Sequence, residues 1–205
     1  MLFAGCVELI RYIKSKGMHC LMITNGSLLK SQAGALVESG LDELNVSLDG
    51  DSRTHDAIRG QPGLFERIMD GLQEVRRIKE ERGVSFPLVN LQCTINRDNL
   101  DTLEMMPQVR LRAGAQALTF HNLIFVEPWQ LQQQKEVDRL LGCSSPGWEG
   151  FCFPPGVTAA RIAEAQARIA ASGGERGVTW FPAFNREELE RYYLTGESDG
   201  NIDNY

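Results

Sequence analysis

The sequence predicts an α/β protein built as a partial (β/α) barrel of parallel strands. Three observations carry that expectation. Helix-like and strand-like segments alternate along the chain, which favours parallel strands joined by right-handed crossovers. At least two strands have one apolar and one polar face, whereas central strands of a doubly wound sheet are covered by helices on both sides. The strand ends finish in small or polar residues beside turns, where ligands bind in such folds. The alternative is an open sheet with one wet face, which is uncommon for parallel strands.

The elements follow in order. Residues 5–16 carry Cys6, Leu9, Ile10 and Ile13 at helical spacing, and Gly17 is placed to end that helix. Met18–Ile23 is a short apolar run typical of a buried strand. Leu29, Ala33, Leu36 and Val37 repeat the helical pattern, which Gly40 closes; Glu43–Leu48 then alternates strictly. Phe65, Ile68, Met69, Leu72 and Val75 mark a long helix ending near Gly83, and Leu88–Ile95 is a strand. Leu100–Leu111 is helical in pattern, bent or broken by Pro107. Ala117–Val126 reads as another strand. The stretch 127–157, rich in Pro and Gly, reads as irregular and as covering one end of the barrel. Thr158 is a good N-cap for Ala159–Ala171. Val178–Phe181 reads as a last strand, Asn185 caps a short helix through Leu194, and Gly196–Tyr205 reads as a frayed tail.

Composition sets the limits. A chain of 205 residues suffices for one domain with a sizeable core. A net charge of −6 argues against nucleic acid as a partner. No apolar run is long enough for a membrane span, and Glu8, Arg11 and Lys14 interrupt any signal-peptide pattern. A cytoplasmic location is the default expectation. The cysteine count of 5 is odd and the spacings wide, so no disulfide framework is expected. Cys20 and Cys93 read as small core residues; Cys143 and Cys152 read as two unlinked loop thiols.

Sorting the strands by face gathers the polar candidates. Asn45, Ser47 and Asp49 oppose Leu44, Val46 and Leu48; Asn90, Gln92 and Thr94 oppose Val89, Leu91 and Cys93; Thr119, His121 and Glu127 oppose Leu118, Phe120, Ile124 and Val126. Asn25 and Ser47 offer neutral hydrogen bonds, and Arg59 offers a planar fork suited to a carboxylate. That equipment suits an amino acid or a nucleoside. Taken singly, Asn-Gly and Asp-Gly are ordinary turns and Arg59 an ordinary surface charge. His121 faces the same lumen and reads as a hydrogen-bonded histidine without chemistry, the alternative being substrate contact.

Two strand ends carry a resemblance. Leu21-Met22-Ile23-Thr24-Asn25-Gly26-Ser27 and Leu44-Asn45-Val46-Ser47-Leu48-Asp49-Gly50, followed by His55-Asp56-Ala57-Ile58-Arg59-Gly60 and Gly63-Leu64-Phe65, resemble the third and fourth strands of radical S-adenosylmethionine (SAM) enzymes. The likeness covers residues 1–127, a partial core barrel, leaving 128–205 as a loop-rich and helical region. Val178–Tyr193 resembles the segment before a cysteine-rich SPASM-type extension. The resemblance implies SAM and a [4Fe–4S] cluster as the parent family's cofactors. It implies that Ser47 and Arg59 contact the amino-acid end of SAM, that Asn25 and Thr94 line the lumen, and that Val126 lies by the adenine.

The departures are as specific. The family's C-x3-C-x2-C triplet and its Gly-Gly-Glu-Pro stretch are not in this sequence, so no metal ligands are assigned and no cluster is expected on this chain alone. The first expectation is therefore part of a radical SAM oxidoreductase or maturase acting on a peptide or small molecule, incomplete for catalysis. The second is a non-catalytic barrel remnant that binds a nucleoside or a partner; the reading frame upstream of Met1 discriminates the two. An unrelated α/β-barrel enzyme such as an aldolase would want a lumen lysine or a paired carboxylate, and strands 44–48, 88–95 and 117–126 contain no lysine.

Overall fold

The computed structural model describes residues 5–153 and 155–196, so the tail expected to fray from 197 onward lies outside the described residues. The chain runs α1 (Cys6–Ser15), β1 (Leu21–Thr24), α2 (Leu29–Glu38), β2 (Glu43–Ser47), α3 (Ser52–Arg59), α4 (Leu64–Arg82), β3 (Leu88–Thr94), a 3₁₀ turn (Leu100–Met105), α5 (Met106–Ala113) and β4 (Ala117–His121). It continues through α6 (Pro128–Leu141), a second 3₁₀ turn (Pro146–Phe151), α7 (Ala159–Ala171), β5 (Val178–Phe181) and α8 (Arg186–Thr195). One sheet of 5 strands has the sequential order β1-β2-β3-β4-β5. Every pairing is parallel. This is a partial (β/α) barrel.

The single core explains why the sheet is not doubly wound. Leu44, Val46, Val89, Leu91, Cys93, Leu118 and Phe120 are buried together with Leu36 of α2, Ile68 and Leu72 of α4, and Ile162 of α7. The intervening positions of β3 and β4 are only half-buried. Helices therefore cover one face, and polar side chains line the other. Burying a Leu or Ile side chain contributes about 1.5–3 kcal/mol, so the apolar face dominates the stability of each strand. The run Met18–Ile23, expected as a buried strand, contains instead the edge strand β1, none of whose residues is buried: Leu21 and Ile23 are exposed on the face they share with Glu43 and Asn45 of β2.

Three further segments depart from the sequence reading. Ser52–Arg59, to which the sequence reading gives no element, is α3: Asp51 accepts from the Thr54 amide at 2.9 Å, and Gly60 closes the helix at φ 61°. His55 is its buried residue, so it shows no apolar stripe. Pro128–Leu141, expected as irregular, is α6, and none of its residues is buried. Its signal lay in the chain: Glu127 and Gln130 form a capping box with Pro128 just inside the helix. The strand expected to reach Val126 ends at His121. The Asn122 amide still donates to Phe181 O at 2.8 Å, the residue at which β5 itself ends.

Elsewhere the local chemistry acts as expected. Pro107 sits in the first turn of α5 and separates it from the 3₁₀ turn. Thr158 caps α7 through the Arg161 amide, and Asn185 caps α8 in a box with Glu188. The sheet does not stop at residue 127, since β5 pairs with β4 over Val178–Phe181. Gly26 permits a close approach: at φ 70°, a Cβ there would lie 2.9 Å from Ile68 Cγ1.

Candidate functional site

Strand register stacks the polar face in layers. Ser47 pairs with Gln92, Gln92 with Thr119 and Thr119 with Thr179; above them Thr94 pairs with His121 and His121 with Phe181. Below, Asn90 Nδ2 donates to Thr119 Oγ1 at 3.1 Å, and the Thr119 and Thr179 hydroxyls stand 3.0 Å apart. Over the layers opens a cavity of ≈ 400 Å³, with Ser47, Gln92, Thr94 and His121 as floor and Phe151, Phe153, Phe181 and Tyr192 among its walls. It lies at the carboxyl ends of the strands. A cavity of ≈ 340 Å³ at the opposite end is lined by Val89, Gln116 and the C-terminal half of α4.

The β2–β3 side of the rim is organised around Asp49, which is 2% exposed. Its Oδ1 accepts from the Thr94 amide at 3.1 Å. Its Oδ2 accepts from Arg59 Nε at 2.7 Å and pairs with Nη2 at 2.6 Å. Its own amide donates to His55 Nδ1 at 3.1 Å, and its carbonyl accepts from Asn99 Nδ2 at 2.9 Å. Asn99 Nδ2 also donates to Thr94 O at 2.9 Å. A buried carboxylate needs a paired charge and hydrogen bonds, and Asp49 has both. Asp56 adds a cap on α4, accepting from the Gly63 and Phe65 amides. His55 is buried with Nδ1 as acceptor, which puts the proton on Nε2. Burial holds its pKa below the ordinary histidine value, against the opposing pull of Asp49.

The β4–β5 side is built differently. Tyr193 of α8 donates to Asn122 Oδ1 at 3.1 Å, and Tyr192 donates to Leu123 O at 2.8 Å. Asn122 Nδ2 donates to Pro182 O at 3.1 Å. Burial raises the Tyr193 pKa, so it stays a neutral donor. His121 tilts against Phe181, ring centroids 5.5 Å apart. Its Nε2 is buried and has no hydrogen-bond partner, and burial lowers its pKa. The expected hydrogen-bonded histidine is thus not found at that nitrogen.

The expected site residues separate into two groups. Ser47 and Thr94 border the cavity. Arg59 stands beside Thr94 through Asp49, with its side chain 37% exposed, so part of its fork faces solvent. Asn25, at the end of β1, is exposed, and its Oδ1 accepts from the Ser27 amide and hydroxyl. Val126 lies outside the cavity lining, in the loop beyond β4, its amide donating to Phe151 O at 2.9 Å. Sequence reading missed the aromatic wall, because Phe151 and Phe153 come from the stretch between α6 and α7, and Phe181 and Tyr192 from β5 and α8. Asp49 was legible as a polar-face residue, but not as the partner of Arg59.

The model of the family described as the radical SAM superfamily matches residues 2–105. The chain belongs to the radical SAM superfamily. Curated relatives agree. It is 35% identical over 119 residues to the AdoMet-dependent heme synthase of Nitratidesulfovibrio vulgaris, covering 57% of this chain and 30% of that protein. It is 32% identical over 119 residues to the Fe-coproporphyrin III synthase of Methanosarcina barkeri, covering 58% and 28%. A probable GTP 3′,8-cyclase of Saccharolobus islandicus is 39% identical over 95 residues, covering 45% and 29%. Each match thus spans less than a third of the relative's length.

The radical SAM family uses SAM and a [4Fe–4S] cluster. The donor set here fits SAM: Ser47 and Thr94 hydroxyls at the cavity, a guanidinium beside them, and apolar walls. It does not fit the cluster. Among the described residues, no group of three His, Cys, Asp or Glu side chains could hold a metal ion. Cys93 is fully buried and burial drives its thiol pKa well up. No helix among the described residues is long and apolar enough to cross a membrane.

Proposed function

We propose that this chain forms the SAM- and substrate-holding wall of a radical SAM enzyme of the SPASM-bearing type that matures a peptide or small-molecule substrate. In this reading it works in the cytoplasm, needs no nucleic acid or membrane, and is incomplete for catalysis without cluster ligands. The observation that carries it is the convergence of Ser47, Gln92, Thr94 and His121 on one cavity at the carboxyl ends of the strands. Ser47, Thr94 and Arg59 would hold SAM, which would supply radical chemistry only beside a cluster held by residues other than these. The chain's own residues orient the ligand. Ser47 and Arg59 hold its amino-acid end, Thr94 and Asn25 border the lumen, and the segment through Val126 lies by the adenine. The apolar walls exclude water from the reacting end.

Two measurements test this. Anaerobic treatment of the chain with iron and sulfide, followed by visible absorption and iron counting, is expected to give no stoichiometric cluster. Calorimetry is expected to show weak SAM binding that Ser47→Val weakens about fivefold, the scale of one lost hydrogen bond. A stoichiometric cluster, or SAM binding indifferent to Ser47, overturns the assignment. The absence of a cluster-ligand group among the described residues favours one second reading, a non-catalytic nucleoside-binding module. Supplying the cluster-binding segment in trans and finding SAM cleavage would reject that second reading.

A further inference from the structure

We infer that Asp49 is a positioning residue that presets Arg59 for the ligand's carboxylate, an inference resting on the SAM-binding reading above. Arg59 ends α3, where a free side chain would sweep solvent. Asp49 stops that motion by taking Nε and Nη2, and no protein partner is recorded for Nη1. The anchor is itself fixed from three directions. Its second oxygen sits on the Thr94 amide, its own amide on His55, and its carbonyl on Asn99. Asp49 therefore ties the guanidinium to Thr94, which borders the cavity. The buried carboxylate is the rigid half of the pair and the half-exposed arginine the working half. An arginine already held in its binding orientation loses less side-chain freedom when it captures an anion.

Asp49→Asn isolates the effect. The amide must set its NH₂ either against the donors of Arg59 or against the Thr94 N–H, so one contact fails in either orientation. Calorimetry on the full chain would use SAM and decarboxylated SAM, which lacks only the carboxylate. Asp49→Asn and Arg59→Ala should each weaken SAM about tenfold, the scale of a charge-assisted bond. The double variant should be no worse than either single, and decarboxylated SAM should bind all forms alike. Arg59→Lys keeps the charge opposite Asp49 and so guards against misfolding. It should lose SAM affinity as Arg59→Ala does, because it lacks the fork. Additive losses, equal losses for both ligands, or unchanged SAM binding by Asp49→Asn would overturn the inference. The positioning itself has an independent readout: the Arg59 Nε–H proton should exchange slowly in the wild type and rapidly in Asp49→Asn. Fast exchange in the wild type overturns the positioning role. Indifference of SAM to Arg59→Ala, or no SAM binding by the wild type, with slow exchange retained, overturns the carboxylate reading instead.

Discussion

The two sides of the cavity rim differ in how tightly their central polar residue is held. On the β2–β3 side every hydrogen-bonding group of Asp49 is taken up within the protein. On the β4–β5 side His121 leaves a buried nitrogen without a partner, beside a wall of aromatic rings. His55, packed on Asp49, also has a buried Nε2 without a hydrogen-bond partner, so the difference lies in Asp49 itself, whose full set of hydrogen bonds resists rearrangement. Asp49 is the fixed point of the first side, whereas His121 on the second is packed against the Phe181 ring with no hydrogen bond at Nε2.

That contrast can be broken by mutation. The largest effect belongs to Asp49→Ala, which strands the Thr94 amide and frees Arg59. Because Arg59 is 37% exposed it regains water, so the expected loss is about 2–3 kcal/mol, below the full penalty for breaking a fully buried pair. Urea denaturation measures it, and a loss under about 0.5 kcal/mol would show that this fixed point does not contribute to stability.

Acid should act on both sides at once. His55 and His121 have folded-state pKa values depressed chiefly by burial. Below an unfolded value near 6.5, the unfolded chain binds more protons, so stability falls as pH falls. The stabilisation is complete above that pH and is lost downward through the folded values. Denaturation midpoints from pH 7.5 to about pH 5 should decline, and His55→Gln should flatten part of the slope. A flat wild-type profile would remove both histidines from the account.

The smallest effect is expected at His121→Phe. Replacing an unpartnered buried polar group with an apolar ring of similar shape should change stability by no more than about 0.5 kcal/mol in either direction. A loss as large as that of Asp49→Ala would erase the contrast between the two sides.

The strands were legible because one rule governs them. In β3, Val89, Leu91 and Cys93 are buried and Asn90, Gln92 and Thr94 are not, as alternation requires. The same rule misled in β4: Ile124 and Val126 keep the alternation, but the ladder ends with β5 at Phe181, and Ile124 is exposed. Helix α6 was hidden because it buries nothing, and α3 because its buried residue is a histidine. Ser47 and Thr94 were legible from face and strand end alone. The commitment of Arg59 to Asp49 was not, since it depends on a helix across the Gly50 turn that has no apolar stripe.

The hydroxyls of Tyr192 and Tyr193 have a consequence for the order of assembly. They hold Leu123 and Asn122 across about 70 positions of chain, and only after β5 has paired is α8 carried to them. Long-range closures of this kind form late, because their loop entropy is offset only once the intervening elements have docked. A nascent or refolding chain would thus acquire its helices and its apolar core before it acquires a finished cavity. A finished cavity would appear as the last event of folding, and it would be the first feature lost when α8 detaches.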